Sequence, residues 1–114
     1  MTDCIFCKII NKEIPSEILY ETDNVIAFKD IHPVAPVHVL IAPKLHIENI
    51  EKLDSENISV VCDIHLAAKK IANDFGISEK GYRLISNCGK AAGQTVPHLH
   101  YHLIGGKRFG ISIV

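Results

Sequence analysis

The sequence predicts an α+β fold, in which a five-stranded, mainly antiparallel sheet carries one main helix and a short N-terminal helix. Five short apolar runs have strand character, and one longer segment repeats its apolar residues at helical spacing. Most connections are too short for parallel crossovers, so the strands should pair antiparallel with the helices on one face. At 114 residues we expect one domain, spanning 1–114.

The N-terminal half supplies the short helix and the first three strands. Residues 4–14 have nearly helical apolar spacing, which Pro15 ends. A turn at residues 22–24 joins the first two strands, and residues 46–50 should form a helical turn or a loop. The three predicted strands of this half are residues 18–20, 25–28 and 37–42.

The C-terminal half supplies the main helix and the last two strands. Apolar residues recur at helical spacing over residues 58–75, and Gly76 is the expected stop. Cys62 lies within this pattern and is expected to be buried. The predicted fourth and fifth strands are residues 82–86 and 97–104.

Composition and charge exclude several partners. A net charge of −1 offers no basic surface for a nucleic-acid backbone, so no nucleic-acid partner is expected. No apolar run is long enough to span a membrane. The N-terminus also lacks the basic and apolar regions of a signal peptide, so we expect a cytoplasmic protein.

Three histidines near the C-terminus carry the clearest chemical signal. His98, His100 and His102 alternate with apolar residues, so in a strand they would share one face at spacings of roughly 6.5–7 Å. Neutral imidazoles at that spacing could attack phosphorus while a neighbour donates a hydrogen bond. They could alternatively bind a metal or simply face water.

A loop of small residues leads directly into the histidines. Residues 88–95 include two glycines, which let backbone N–H groups approach an anion closely. Asn87 adds an amide and Thr95 a hydroxyl. This arrangement predicts a phosphate-binding loop.

Two of the four cysteines form a Cys-x-x-Cys pair at Cys4 and Cys7. In a reducing compartment such a pair is typical of metal binding or redox chemistry. A thioredoxin-like pair would follow a strand, whereas this one lies at the extreme N-terminus. A pair of plain thiols remains the alternative.

The segment His-Leu-His-Tyr-His-Leu-Ile matches the signature of the histidine triad (HIT) superfamily. The chain resembles the nucleotide-binding, Hint-like branch along almost its whole length. The matching blocks are residues 4–9, 13–15, 27–31, 35–38, 43–47 and 93–96. The resemblance implies a HIT-like fold and a homodimer with a continuous sheet.

The same resemblance implies catalytic roles. His100 would attack the α-phosphorus and form a nucleotidyl-histidine intermediate, while the carbonyl of His98 orients its ring. His102 would hydrogen-bond the phosphate oxygens. The remaining implied catalytic positions are Asn87, Thr95 and His38.

The nucleotide-binding positions also follow from the resemblance. Asp30 would accept hydrogen bonds from the ribose hydroxyls. The apolar positions near the base would be Ile5, Phe6, Ile9, Ile14, Phe28, Ile31 and Leu40. The other nucleotide-binding positions that the resemblance implies are Asn87, Gly93, Gln94, Thr95, Val96, His100 and His102.

Zinc-containing HIT relatives carry a four-ligand site. The matching positions here are Cys4, Cys7, His46 and His98, which implies a structural zinc ion. The phosphoryl chemistry itself would require no catalytic metal.

The resemblance implies a hydrolase of purine nucleoside 5′-phosphoramidates or related nucleoside monophosphate (NMP) conjugates, releasing NMP. One alternative is a dinucleoside polyphosphate hydrolase, although the Cys-x-x-Cys pair and the loop favour the first. Another is a zinc-stabilised nucleotide-binding module whose turnover is incidental. A fourth is a metal-dependent site on the three histidines, which the phosphate-binding loop argues against.

Overall fold

The computed structural model describes residues 4–111, so the end of the C-terminal tail lies outside the described residues. Its strands are β1 (Ile18–Glu21), β2 (Val25–Lys29), β3 (Val37–Pro43), β4 (Tyr82–Ile85) and β5 (Tyr101–Gly105). Its helices are α1 (Ile5–Ile10) and α2 (Ser59–Asp74), with short 3-10 turns at Ile50–Lys52 and Lys90–Ala92. No helix within residues 4–111 is long and apolar enough to cross a membrane.

The five strands form one sheet in the order β1-β2-β3-β5-β4, and each neighbouring pair is antiparallel. Strands β3 and β4 both flank β5, so they run in the same direction. Helix α2 supplies the long connection that this crossover needs. The predicted α+β fold with a mainly antiparallel sheet is confirmed.

The two helices cover opposite faces of the sheet, so the expectation of both on one face is wrong. The α2 side holds the larger core, with Val25, Ala27, Val39, Ile41, Ile64, Ala68, Ile71 and Leu103. The α1 side holds a second cluster of Cys4, Phe6, Ile9, Ile26, Phe28 and Leu40. Strands β2 and β3 are apolar on both faces, which hides the alternation that would have shown two covered sides.

Helix α2 ends as predicted, but one of its residues is not where we expected it. Gly76 has φ +71°, the left-handed conformation that suits a helix stop. Cys62, expected in the core, is exposed, because the residues facing the sheet lie on the other side of the helix. Cys62 instead shares an outer stripe with Ile58 and Leu66, which are 48% and 62% exposed.

Strand β5 begins at Tyr101, four residues later than predicted. Residues 96–98 form a bend, and the N–H of Leu99 donates to the carbonyl of Ile47, in the segment after β3. The β3–β5 ladder therefore stops at the Ile41–Tyr101 pair. Only the third histidine of the triad lies within the regular strand.

Candidate active site

His100 has one ring nitrogen held by the main chain. Its Nδ1 lies 2.7 Å from the carbonyl oxygen of His98, and its side chain is buried among ring neighbours. A carbonyl oxygen only accepts, so Nδ1 carries the hydrogen and Nε2 of the neutral ring carries the lone pair. Burial lowers the pKa of His100, although the His98 carbonyl and Asp30 oppose this shift. The arrangement therefore favours a neutral ring whose Nε2 carries a lone pair.

The bend before β5 makes that hydrogen bond possible. In a strand with neighbours on both sides, most carbonyls are occupied by ladder hydrogen bonds. His98 precedes β5, so its carbonyl is available to the ring of His100. The hydroxyl of Ser86 in turn donates to the carbonyl of His100 over 3.0 Å, which holds this part of the chain beside the end of β4.

His102 is oriented by a second histidine. The backbone N–H of Val34 donates to Nδ1 of His38 over 3.1 Å, so Nε2 of the neutral His38 ring carries the hydrogen. That Nε2 lies 2.9 Å from Nδ1 of His102 and 3.2 Å from Oδ2 of Asp30. Donation to Nδ1 leaves the hydrogen of a neutral His102 on Nε2. His102 thus has an Nε2–H that can donate a hydrogen bond.

Burial favours the neutral form of both of these rings. It lowers the pKa of His38, and the Asp30 carboxylate opposes the shift only in part. It also lowers the pKa of His102, helped by the neighbouring His100 and His38.

Asp30, His38 and His102 bring three potential ligand atoms together, so a metal here must be considered. A neutral histidine that binds a metal through Nε2 carries its hydrogen on Nδ1. At His38 that hydrogen would point at the N–H of Val34. The local hydrogen bonding therefore favours a relay of donors over a metal site.

The loop before the triad is braced by its own glutamine. Oε1 of Gln94 accepts from the N–H of Gly89 over 2.8 Å, and its Nε2 donates to the carbonyls of Glu48 and Val96. Gly93 has φ +87°, a conformation that favours glycine. The side chain of Gln94 thus shapes the loop, while that of Thr95 is exposed to solvent.

A cavity of about 310 Å³ opens beside the rings of His38 and His102, and Asn87 lines it as well. Three predicted catalytic positions from β3, β5 and the loop after β4 therefore share one cavity.

The predicted base-contacting residues divide into two groups. Phe6, Ile9, Phe28 and Leu40 are buried in the cluster on the α1 side, and Ile14 packs against it. Val96, another predicted nucleotide-binding residue, also packs against this cluster. Ile5 and Ile31 are 45% and 83% exposed and lie outside that cluster. Their contact with a base stays a prediction.

The four predicted metal ligands lie together. Nδ1 of His98 is 3.2 Å from Sγ of Cys4, 3.6 Å from Sγ of Cys7 and 3.1 Å from Nδ1 of His46. Nε2 of His98 lies 2.8 Å from the carbonyl of Pro43, so it carries the hydrogen and Nδ1 faces the sulfurs with its lone pair. All four ligand atoms lie within 4.8 Å of one another, close enough to bind one metal ion.

The sequence did not reveal three groups that fix two of these rings and the main chain of His100. They are the carbonyl of Pro43, the N–H of Val34 and the hydroxyl of Ser86. Two of the three are main-chain atoms, which every residue type offers, so no sequence signal marks them.

Comparison with known proteins identifies the family. The HIT domain model matches residues 11–109. The chain belongs to the HIT family. A purine nucleoside phosphoramidase from Escherichia coli K12 is 45% identical over 108 residues, covering 95% of this chain and 91% of that protein. An uncharacterized HIT-like protein from Synechococcus elongatus is 48% identical over 105 residues, covering 92% and 91%.

Solved HIT structures agree with the fold. A HIT family hydrolase from Clostridium thermocellum superposes with a TM-score of 0.98 at 60% identity, covering 100% of this chain and 99% of that one. A histidine triad protein from Clostridium difficile gives 0.95 at 45% identity, covering 99% and 98%. The HIT-family chain is a hydrolase, as the sequence analysis predicts.

Proposed function

We propose that this hydrolase cleaves purine nucleoside 5′-phosphoramidates or related NMP conjugates through a nucleotidyl-histidine intermediate on His100. The observation that carries the proposal is the 2.7 Å contact between Nδ1 of His100 and the His98 carbonyl. It leaves Nε2 as the free nucleophile of a neutral ring. The substrate class is supported by the phosphoramidase from E. coli, which is 45% identical.

The reaction proceeds in two displacements. The phosphoramidate nitrogen of the substrate is protonated before the attack. Nε2 of His100 attacks the α-phosphorus, the phosphorus–nitrogen bond breaks, and the amine leaves with that proton. The ring is then a cation, and the His98 carbonyl stabilises its Nδ1–H. Water attacks the same phosphorus and gives up one proton to the solvent, the Nε2–phosphorus bond breaks, the ring becomes neutral again, and NMP is released.

The surrounding groups stabilise charge and hold the nucleotide. Nε2–H of His102 donates to a phosphoryl oxygen, and the backbone near Gly93 and Thr95 adds further N–H donors. Asn87 contacts the phosphate and the leaving group. Asp30 accepts from the ribose hydroxyls, and the cluster around Phe6 and Phe28 receives the purine.

Zinc is the metal we propose for the four-ligand group. A tetrahedral zinc site would separate two nitrogens by about 3.3 Å and a nitrogen and a sulfur by about 3.5 Å. The observed separations of 3.1–3.6 Å fit this geometry. Zinc supplies structural cross-linking there and no phosphoryl chemistry. Because Cys4 and Cys7 must stay reduced to bind the metal, we propose a cytoplasmic location.

We also propose that the protein forms a homodimer. The outer stripe of α2 (Ile58, Cys62 and Leu66) is apolar and exposed in one chain. Within residues 4–111, β4 pairs on one side only, with β5. A second copy could cover the stripe and extend the sheet past β4.

The first prediction tests the nucleophile. Wild-type protein is mixed briefly with adenosine 5′-phosphoramidate, and its intact mass is measured after acid-free denaturation. An adduct of one adenylyl group should form on the wild type and on His65→Ala, a matched change of an exposed histidine on α2. His100→Ala should form no adduct and lose turnover by at least about 10³-fold, because the attacking atom is gone.

Two outcomes would contradict the proposal. Normal turnover by His100→Ala would exclude His100 as the nucleophile. Tight binding of adenosine monophosphate (AMP) with no turnover of any conjugate would favour the nucleotide-binding module. Comparing the rates for the phosphoramidate and for a dinucleoside tetraphosphate separates the two hydrolase classes, and we expect the phosphoramidate to be faster.

A further inference from the structure

The metal-ligand group and the nucleophile share one residue. The ring of His98 faces the two sulfurs through Nδ1, while the carbonyl of the same residue accepts from Nδ1 of His100. The ring is fully buried and its other nitrogen is held by Pro43. A ligand that fixes the His98 ring therefore also restricts the carbonyl that orients His100.

A second connection runs through α1. In the sequence, Phe6 lies between Cys4 and Cys7. Its ring packs edge-on against the ring of His100, with centroids 4.8 Å apart. It also contacts the rings of His98 and Phe28, with centroids 5.9 and 5.5 Å apart. Phe6 is 6% exposed, so these contacts form one wall of the cluster beside His100.

Helix α1 depends on its anchors for stability. It has six residues, and an isolated helix of that length is unstable in water. Its first turn is capped by Sγ of Cys4, which accepts from the N–H of Cys7 over 3.3 Å. The metal ligands thus cap and tether the same helix that presents Phe6 to His100.

We propose that metal binding by Cys4, Cys7, His46 and His98 and nucleotide binding beside His100 strengthen each other, with Phe6 and the His98 carbonyl as the positioning links. This inference rests on the proposed function, since it needs a nucleotide in that site. A ligand that holds α1 in place lowers the ordering cost for the other ligand. The two affinities must then change by the same factor.

The test measures both affinities. Zinc affinity is obtained by competition with a chromogenic chelator, with and without saturating AMP. AMP affinity is obtained by calorimetry on zinc-loaded and metal-free protein, with circular dichroism reporting whether α2 stays folded. We expect AMP to tighten zinc binding, and zinc to tighten AMP binding, by one factor of about 5- to 150-fold.

Phe6→Leu separates the link from direct contacts, because it keeps all four metal ligands. Any contact between Phe6 and the base is lost both with and without zinc, so it cancels in the ratio of the two AMP affinities. That ratio, the coupling factor, therefore reports only the connection between the two sites. That factor should fall toward one, while zinc affinity without AMP stays within about threefold of wild type. Phe109→Leu, whose ring lies against Arg83 and Lys107, should leave the factor unchanged.

The possible failures are distinguishable. Equal AMP affinity in both metal states would overturn the coupling and leave the proposed function intact. No AMP binding by either form would overturn the proposed function, and the coupling with it. A coupling factor that stays the same in Phe6→Leu would overturn the role of Phe6. This result is expected if metal loss simply unfolds the chain.

Discussion

His98 and His100 have the same side chain, yet the structure prepares them for different chemistry. A carbonyl holds Nε2 of His98 and leaves Nδ1 facing the sulfurs. Another carbonyl holds Nδ1 of His100 and leaves Nε2 free. The main chain therefore determines which ring nitrogen keeps its lone pair. In His98 this is Nδ1, which faces the proposed metal site, and in His100 it is Nε2, which we propose attacks phosphorus.

The position of His38 leads to a second prediction. His38→Leu removes the donor that fixes the His102 tautomer, so kcat should fall by about 10²-fold while AMP affinity changes little. His38→Gln should keep much of the rate, because its amide can donate to His102 and accept from Val34. Steady-state kinetics and calorimetry on both variants check this.

Equal rates for the two His38 variants would contradict a role in positioning. So would a loss confined to KM, since that would indicate ground-state binding alone.

At the residue scale, the sequence predicted which side chains assemble but not how they are oriented. The alternation of three histidines and the Cys-x-x-Cys pair are visible in the printed chain, and the four potential metal ligands do meet. The tautomers depend on Pro43 and Val34 main-chain atoms, which no residue type reveals. Ile31, predicted beside the base, is 83% exposed because it lies in the loop after β2.

At the scale of elements, α2 is apolar on two sides. Residues such as Ile64 and Ile71 face the sheet, whereas Leu66 and Cys62 face outward. The sequence pattern alone could not separate these sides, because both follow helical spacing. This is why Cys62 was wrongly expected in the core.

The outer stripe gives a third prediction. Leu66→Glu places a charge where we propose that a second copy packs. The dissociation constant of the dimer should therefore rise at least about 100-fold. Sedimentation equilibrium should then give a mass near 12.6 kDa, compared with about twice that for the wild type. Lys29→Glu, an exposed position on β2 near the opposite edge of the sheet, is the control.

A wild type that sediments as a monomer would contradict the homodimer. A Leu66→Glu protein that stays dimeric would exclude this stripe as the contact.

At the scale of the whole molecule, the sheet separates the larger core from the candidate site. Val39 and Leu103 face α2, while their neighbours Leu40, His38 and His102 face the other side. The sheet topology was predictable from apolar runs and connection lengths. The second covered face was not, because strands that are apolar on both sides carry no period.

The buried rings predict how global stability depends on pH. Burial lowers the pKa of His38 and His102, so below about pH 6.5 the unfolded chain binds protons that the folded chain does not. The free energy of unfolding should therefore be greatest above that pH and fall as the pH decreases toward the folded-state pKa. Asp30 opposes the shift at His38 without reversing it.

Urea unfolding at pH 5–8 checks this, with zinc supplied equally to all samples. His38→Gln should show a shallower fall than the wild type, by up to about 1.4 kcal/mol per pH unit for one titrating group. Identical slopes would indicate that His38 titrates alike in both states.

The late start of β5 matters for any design that transfers the proposed nucleophile to another protein. A straight strand carrying His-x-His-x-His would reproduce the printed motif, yet its carbonyls would be engaged by neighbouring strands and could not steer a ring. The portable unit is instead a bend at residues 96–98, the strand that follows it, and the carbonyl left available between them. A design that copies the histidine sequence without the bend should contain three histidines but have no hydrolase activity.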